Sequence, residues 1–265
     1  GGGLLLEGNP ISSFKILAQA SELVLGKCFH ILGSLPDVSV VKFNACGIDR
    51  SSLQKLGKSL RKLAHLSFLS LQANQISSLL PLKEVFEKHT GLTRLLLSEN
   101  QITSVSGIET ATGLTHLSLS QNQITDISGL AKLTGLTELS LRDNKIMSVL
   151  PLKNLTGVTV LRLTRNQITD ISGLAKLTRL TYLWLDDNKI MSVLPLENLT
   201  GLMTLHLDHN QITDISGLAK LTRLTYLWLY DNEIISVLPL TNLTGLTYLR
   251  LACNQITDIS GVAKL

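Results

Sequence analysis

From Leu114 to Gly157 the apolar and polar positions form two successive patterns of 22 residues, LTHLSLSQNQITDISGLAKLTG and LTELSLRDNKIMSVLPLKNLTG. Apolar residues occupy positions 1, 4, 6, 11, 14, 17 and 20, which in the first pattern are Leu114, Leu117, Leu119, Ile124, Ile127, Leu130 and Leu133. Positions 3 to 7 alternate apolar and polar, the period of a strand buried on one side. Asn122 stands at position 9, where a short amide can bond the backbone of a turn. Position 16 alternates between Gly129 and Pro151, so the return path to the next strand cannot be a long helix. The 44-residue pair recurs at 158–201 and 202–245 and again, cut short, at 246–265. A fixed short period predicts a solenoid whose repeats bury their apolar faces against their neighbours, with strands in one parallel sheet.

The spacing LxxLxLxxNxI, in nine consecutive copies from Leu66 onward, resembles the leucine-rich repeat pattern. The halves carrying NQITDISGL and a following LTGLTEL are similar to the short repeats of bacterial internalins and of the leucine-rich regulatory subunit of protein phosphatase 1. The resemblance implies an α/β solenoid with a curved parallel sheet on its concave face, a role in binding protein, and no catalytic residues.

Three stretches of one continuous solenoid are expected. Residues 1–37 are irregular: Leu4, Leu6, Asn9 and Ile11 match repeat positions 4, 6, 9 and 11, and Ser12–Leu32 is expected to be helical, with Phe14, Leu17, Ala18 and Ser21 on one face. Residues 38–91 hold longer repeats of 28 and 26 residues, the first with strand VVKF and then Leu53, Leu56, Leu60 and Leu63 at helical spacing, as in ribonuclease-inhibitor-type repeats. The second is expected to carry a short helix at Lys83–Lys88. From 92 to 265 the period is 22, with short 3-10 or irregular return segments. Leu265 is position 20 of an unfinished repeat with no polar cap after it, so a fragment of a longer protein is expected.

Hydrophobic content of 44% with 17% charged residues fits a buried apolar spine. The net charge of +4 comes from scattered Lys and Arg rather than a basic stripe, which argues against a nucleic-acid partner. No run reaches the ~18 apolar residues of a membrane span. Cys28, Cys46 and Cys253 cannot all pair within the chain; Cys46 takes the Asn position of its repeat and is expected to be buried. The absence of Cys-rich caps and of a visible signal segment leans toward an intracellular setting, although the chain opens GGGLLLEGNP without Met. A monomer is expected, with no cofactor.

The copies differ from one another mainly where a strand would face solvent. Units 114–157 and 158–201 differ at ten positions, and seven of these fall at strand positions 3, 5, 7 and 8, including Ser118/Arg162, Glu138/Tyr182 and Ser140/Trp184. Units 158–201 and 202–245 also differ at ten, five of them in the same classes. Lys132, Lys176 and Lys220 on the return path stay unchanged, so drift alone does not explain the bias. Every Trp and Tyr of the chain lies at these positions. Tyr182, Trp184, His206, Tyr226, Trp228, Tyr230, Tyr248 and Arg250 form the predicted partner-binding strip, rich in residue types that dominate interface energies. Duplication of one TYLWL strand is the competing explanation for four of these rings, but not for Tyr230 and Tyr248.

Other groupings carry less. His206, Asp208 and His209, with Asp186 and Asp187 one strand away, have metal-ligand chemistry, but strand alternation alone produces their spacing, and no metal site is expected. Asp126, Asp170, Asp214 and Asp258 at position 13 are expected to be turn residues. Asn154, Asn198 and Asn242 each begin an NLT sequon, which matters only on the secretory route. The expected function is a non-enzymatic protein-binding module. The alternatives are a phosphatase-regulating or signalling scaffold subunit, a cell-surface adhesion or immune-recognition module, and the sensor region of a larger enzyme.

Overall fold

The computed structural model describes residues 4–7, 13–16 and 22–263, with side chains from residue 24 onward. The chain divides into two units, Gly1–Leu136 and Thr137–Leu265. The first holds strands β1 (Leu4–Glu7), β2 (Ser13–Ile16), β3 (Val40–Phe43), β4 (Phe68–Ser70), β5 (Arg94–Leu96) and β6 (His116–Ser118). Strands β2 to β6 pair in parallel in chain order, whereas β1 pairs antiparallel with β2. The second unit holds β7 (Glu138–Ser140), β8 (Val160–Arg162), β9 (Tyr182–Trp184), β10 (Thr204–His206), β11 (Tyr226–Trp228) and β12 (Tyr248–Arg250), all parallel and each paired with the next.

Two expectations for the N-terminal stretch are corrected. The repeat match at Leu4 and Leu6 is not a repeat strand, because β1 runs against β2 and repeat strands run together; Asn9 and Ile11 lie outside the described residues. Of the helix expected over Ser12–Leu32, the described residues show α1 (Glu22–Leu32). Ser13–Ile16 is a strand, in register with Val40–Phe43 so that Phe14 lies opposite Val41 and Ile16 opposite Phe43. An apolar run of that length suits helix or strand by periodicity, and a neighbouring strand offering its backbone groups decides it. Leu17, Ala18 and Ser21, assigned to the helical face, and Leu265 lie outside the described residues.

The return paths follow their lengths. In the 28-residue repeat α2 (Arg50–Leu60) is capped by Asp49, whose Oδ1 accepts from the Ser52 N–H at 2.8 Å. Its Leu53, Leu56 and Leu60 are fully buried, as is Leu63 just beyond it. The next repeat carries α3 at Lys83–Lys88, where it was expected. The 22-residue repeats have only short 3-10 turns such as Ser172–Leu174 and Leu194–Leu196.

The glycine at position 16 has a packing cause. A Cβ on Gly217 would lie 2.4 Å from the Val193 carbonyl oxygen and 2.7 Å from the Leu194 Cα, and Gly173 and Gly261 meet the preceding return path in the same way. Backbone fills the space that a side chain would need.

Inside the turns, the position-9 Asn residues from Asn74 to Asn232 are buried, whereas Asn254 of the last repeat is half-buried. Asn166 donates from Nδ2 to the carbonyls of Leu141 (3.0 Å), Leu163 (3.0 Å) and Thr164 (3.3 Å), while its Oδ1 accepts from the Ile146 N–H at 3.0 Å. Asn188, Asn210 and Asn232 repeat the set. Cys46, in the same position, is buried, and burial together with the nearby Cys28 thiol pushes its pKa up to about 11. The position-13 aspartates are turn residues: Asp170 and Asp214 each accept from the N–H and hydroxyl of the Ser two residues on.

His89, at the end of α3, is buried, with its Nε2 2.9 Å from the Leu60 carbonyl. Desolvation lowers its pKa, partly offset by that carbonyl and assisted by Lys88. The unfolded chain therefore binds a proton more readily than the folded one, so this stability is present above the unfolded value of about 6.5 and is lost as pH falls. The melting temperature is expected to drop on acidification through that range, and less so in His89→Gln. Identical pH profiles for the two proteins would remove His89 from the account.

Candidate functional site

On the exposed side of β9 to β12, parallel register brings the predicted residues together. Tyr182, Thr204, Tyr226 and Tyr248 stand in one row, and Trp184, His206, Trp228 and Arg250 in the next. Leu183, Leu205 and Leu227 point the other way into the spine and are fully buried. The three tyrosines of the first row are 40%, 46% and 44% exposed in chain order.

The second row is a stack. His206 lies 3.8 Å from Trp228 at 19° between ring planes, and 5.6 Å from Trp184. Tyr248 reaches Trp228 at 4.8 Å, and the Arg162 guanidinium of β8 lies 4.8 Å over Trp184. Tyr182 and Tyr226 stand nearly parallel to the Trp two residues on, at 6.0 and 5.8 Å. Both tryptophans and His206 are consequently half-buried against one another. The stack's desolvation holds the His206 pKa below its ordinary value, with the Asp186 carboxylate pulling the other way.

Sequence reasoning missed what lies beneath the rings. Asp208 is buried, accepts from the Tyr230 N–H at 2.7 Å and lies 3.4 Å from Arg250 Nη1. Burial raises its pKa, against the Tyr230 N–H and Arg250. Arg250 in turn lies 4.0 Å over the Tyr230 ring, so these two residues form one cluster at the strip's end. Thr204, between Tyr182 and Tyr226, is buried as well. The signal available for Asp208 was its strand position, which does not reveal that the Tyr230 N–H and the Arg250 guanidinium meet it there.

Position 8 adopts a left-handed backbone in each described repeat, with φ from +52° to +58° across Asp143, Arg165, Asp187, His209, Asp231 and Cys253. Non-glycine residues there cost free energy. From Asp143 to Asp231 their N–H groups continue the sheet ladder, as in Arg165 to the Asp186 carbonyl (3.0 Å) and Asp187 to the Asp208 carbonyl (3.0 Å), which helps to hold the turn. Their side chains pair across neighbouring repeats: Arg165 lies 3.6 Å from Asp143 and 3.5 Å from Asp187, and His209 Nδ1 lies 2.8 Å from Asp231. The ligand-type residues His206, Asp208 and His209 are thus engaged with different partners rather than converging on one point.

Upstream of the rings is a pocket of about 350 Å3 lined by Arg142, Arg162, Thr164, Arg165, Trp184 and Asp186. These arginines all occupy positions that change between copies, which is the signal that could have added them to the strip.

A profile of leucine-rich repeats, in two-copy form, matches residues 90–132, 112–154, 156–201, 200–240 and 222–264. The chain belongs to the leucine-rich repeat family, whose members are generally non-enzymatic protein-interaction modules. It is similar to an internalin (inlF) from Listeria monocytogenes, with 30% identity over 97% of this chain and 85% of that one and a TM-score of 0.73. An internalin C2 of the same organism is 37% identical over 74% of this chain and 84% of that one, with a TM-score of 0.68. The Arabidopsis receptor kinase HAESA ectodomain, solved with a peptide hormone, is 26% identical over 79% of this chain and 37% of that one, at TM-score 0.65. No curated protein matches the chain. Among the described residues, no helix is long and apolar enough to cross a membrane.

Proposed function

We propose that the chain binds a protein partner on the sheet face, through the strip from Tyr182 to Arg250, and performs no chemistry of its own. The observation that carries this reading is the coincidence of two independent features. The strip lies where successive copies diverge, and it keeps three tyrosines at least two-fifths exposed. Rigid display is the mechanism. The Leu spine and Asn ladder order the strands before binding, and the stack orders the rings, so little further entropy is lost on association. The HAESA ectodomain, with its peptide hormone, illustrates an array of this fold engaging a polypeptide.

The test compares Trp184→Ala and Trp228→Ala with Lys176→Ala on the return path, using the wild-type chain on beads to capture binding proteins. Each Trp change is expected to weaken capture by ~2 kcal/mol or more. Because each Trp also packs against its neighbours, it should cost about 1 kcal/mol of stability. Lys176→Ala should do neither. Equal capture by all four proteins would place the binding surface elsewhere.

A further inference from the structure

The pocket at the upstream end of the strip holds an unusual arginine. Arg162 is half-buried against the Trp184 ring, and its guanidinium has no carboxylate within ion-pair range among the described residues. Its neighbours differ: Arg142 is joined through Nε to Asp143 at 3.0 Å, and Arg165 lies between Asp143 and Asp187. Asp186, the one carboxylate lining the pocket, accepts the Thr164 hydroxyl at 2.8 Å. A guanidinium laid on an indole keeps its planar fork of donors in a fixed direction, the arrangement that suits a carboxylate. A partly desolvated cation without a counter-ion also gains most from receiving one.

The rings next to the pocket narrow the kind of partner. Trp184 has Arg162 on one flank and His206 on the other, and Trp228 has His206 and Tyr248. These flanking groups leave an incoming base or sugar less open Trp face to stack on than a bare indole would, and such stacking is the mode by which single-stranded nucleic acids are held. What the stack offers is ring edges with N–H and O–H donors, which suit the carbonyls of a polypeptide.

We propose that the pocket receives an acidic side chain of the polypeptide partner, with Arg162 as the principal contact and Trp184 as the wall that orients it. This rests on the sheet-face reading above. The test selects random-sequence peptides displayed on phage against the full wild-type chain, Arg162→Gln and Trp228→Ala, with thermal melting to verify that each is folded. Wild type should enrich peptides containing Asp or Glu, and Arg162→Gln should lose that enrichment while still selecting peptides. A selected peptide should bind about tenfold more weakly after its acid is changed to the amide, and Arg162→Gln should add no further loss to the amide form. Peptides lost in Trp228→Ala but enriched alike by wild type and Arg162→Gln would overturn the pocket assignment and leave the strip intact. No selection by wild type would overturn both. Tight binding of a random RNA oligonucleotide, abolished by Arg162→Gln, would assign the pocket to phosphate and overturn the acidic side chain.

Discussion

Asn166→Ala is expected to lower the stability of the array by about 3 kcal/mol, more than its small volume suggests. The side chain holds four buried backbone groups: the carbonyls of Leu141, Leu163 and Thr164, and the N–H of Ile146. Alanine can replace none of these bonds, and the freed groups lie where water does not readily reach. Two of the four belong to the preceding repeat, so the loss loosens the joint between neighbours as well as the turn itself. Equilibrium urea unfolding measures the effect. A midpoint equal to that of wild type would mean that the ladder seen in the structure contributes nothing.

A comparable loss is expected from Gly217→Ala, a change that adds one methyl group. The new Cβ would overlap backbone atoms of Val193 and Leu194 on the preceding return path, and neither can rotate away as a side chain could. Overpacking of this kind costs typically about 1–3 kcal/mol, and contact with backbone favours the upper end. The adjacent Ser216→Ala change, which loses a hydroxyl bonded to Asp214, supplies the comparison and should cost about 1 kcal/mol. Unfolding midpoints that rank Ser216→Ala as the more damaging would contradict the close approach of the two return paths.

These two positions were legible in the sequence because each repeats with the period. An Asn every 22 residues, and a Gly alternating with Pro, state a backbone requirement that every copy shares. Strand β2 was not legible, since Ser13–Ile16 adjoins a further apolar run and its pairing with Val40–Phe43 is a long-range event. The left-handed turn at position 8 was equally hidden. Ala, Glu, Gln, Asp, Arg, His and Cys all occur there, with no Gly, so residue type does not announce the conformation.

The strip was legible as a set of positions but not as an object. Alternation put the eight residues on one face, and register made them neighbours. Spacing alone does not say that His206 would lie face to face with Trp228, that Asp208 would be covered, or that Arg162 would rest on Trp184. Those contacts depend on rotamers chosen jointly by adjacent strands, and any one repeat carries only half of each pair.

A second apolar row competes with the strip for the role of binding surface. Met147, Leu150, Met191, Leu194, Ile235 and Leu238 on the return paths are each 55–61% exposed, more than any ring of the strip. Hydroxyl-radical footprinting of the chain, free and bound to a captured partner, tests the two surfaces together, because Trp, Tyr and Met all oxidise readily. Trp184, Tyr226, Trp228 and Tyr248 are expected to be oxidised several-fold more slowly in the complex, with Met147 and Met191 unchanged. Protection of Met147 and Met191 with unaltered oxidation of the rings would contradict this expectation and move the partner to the return-path side.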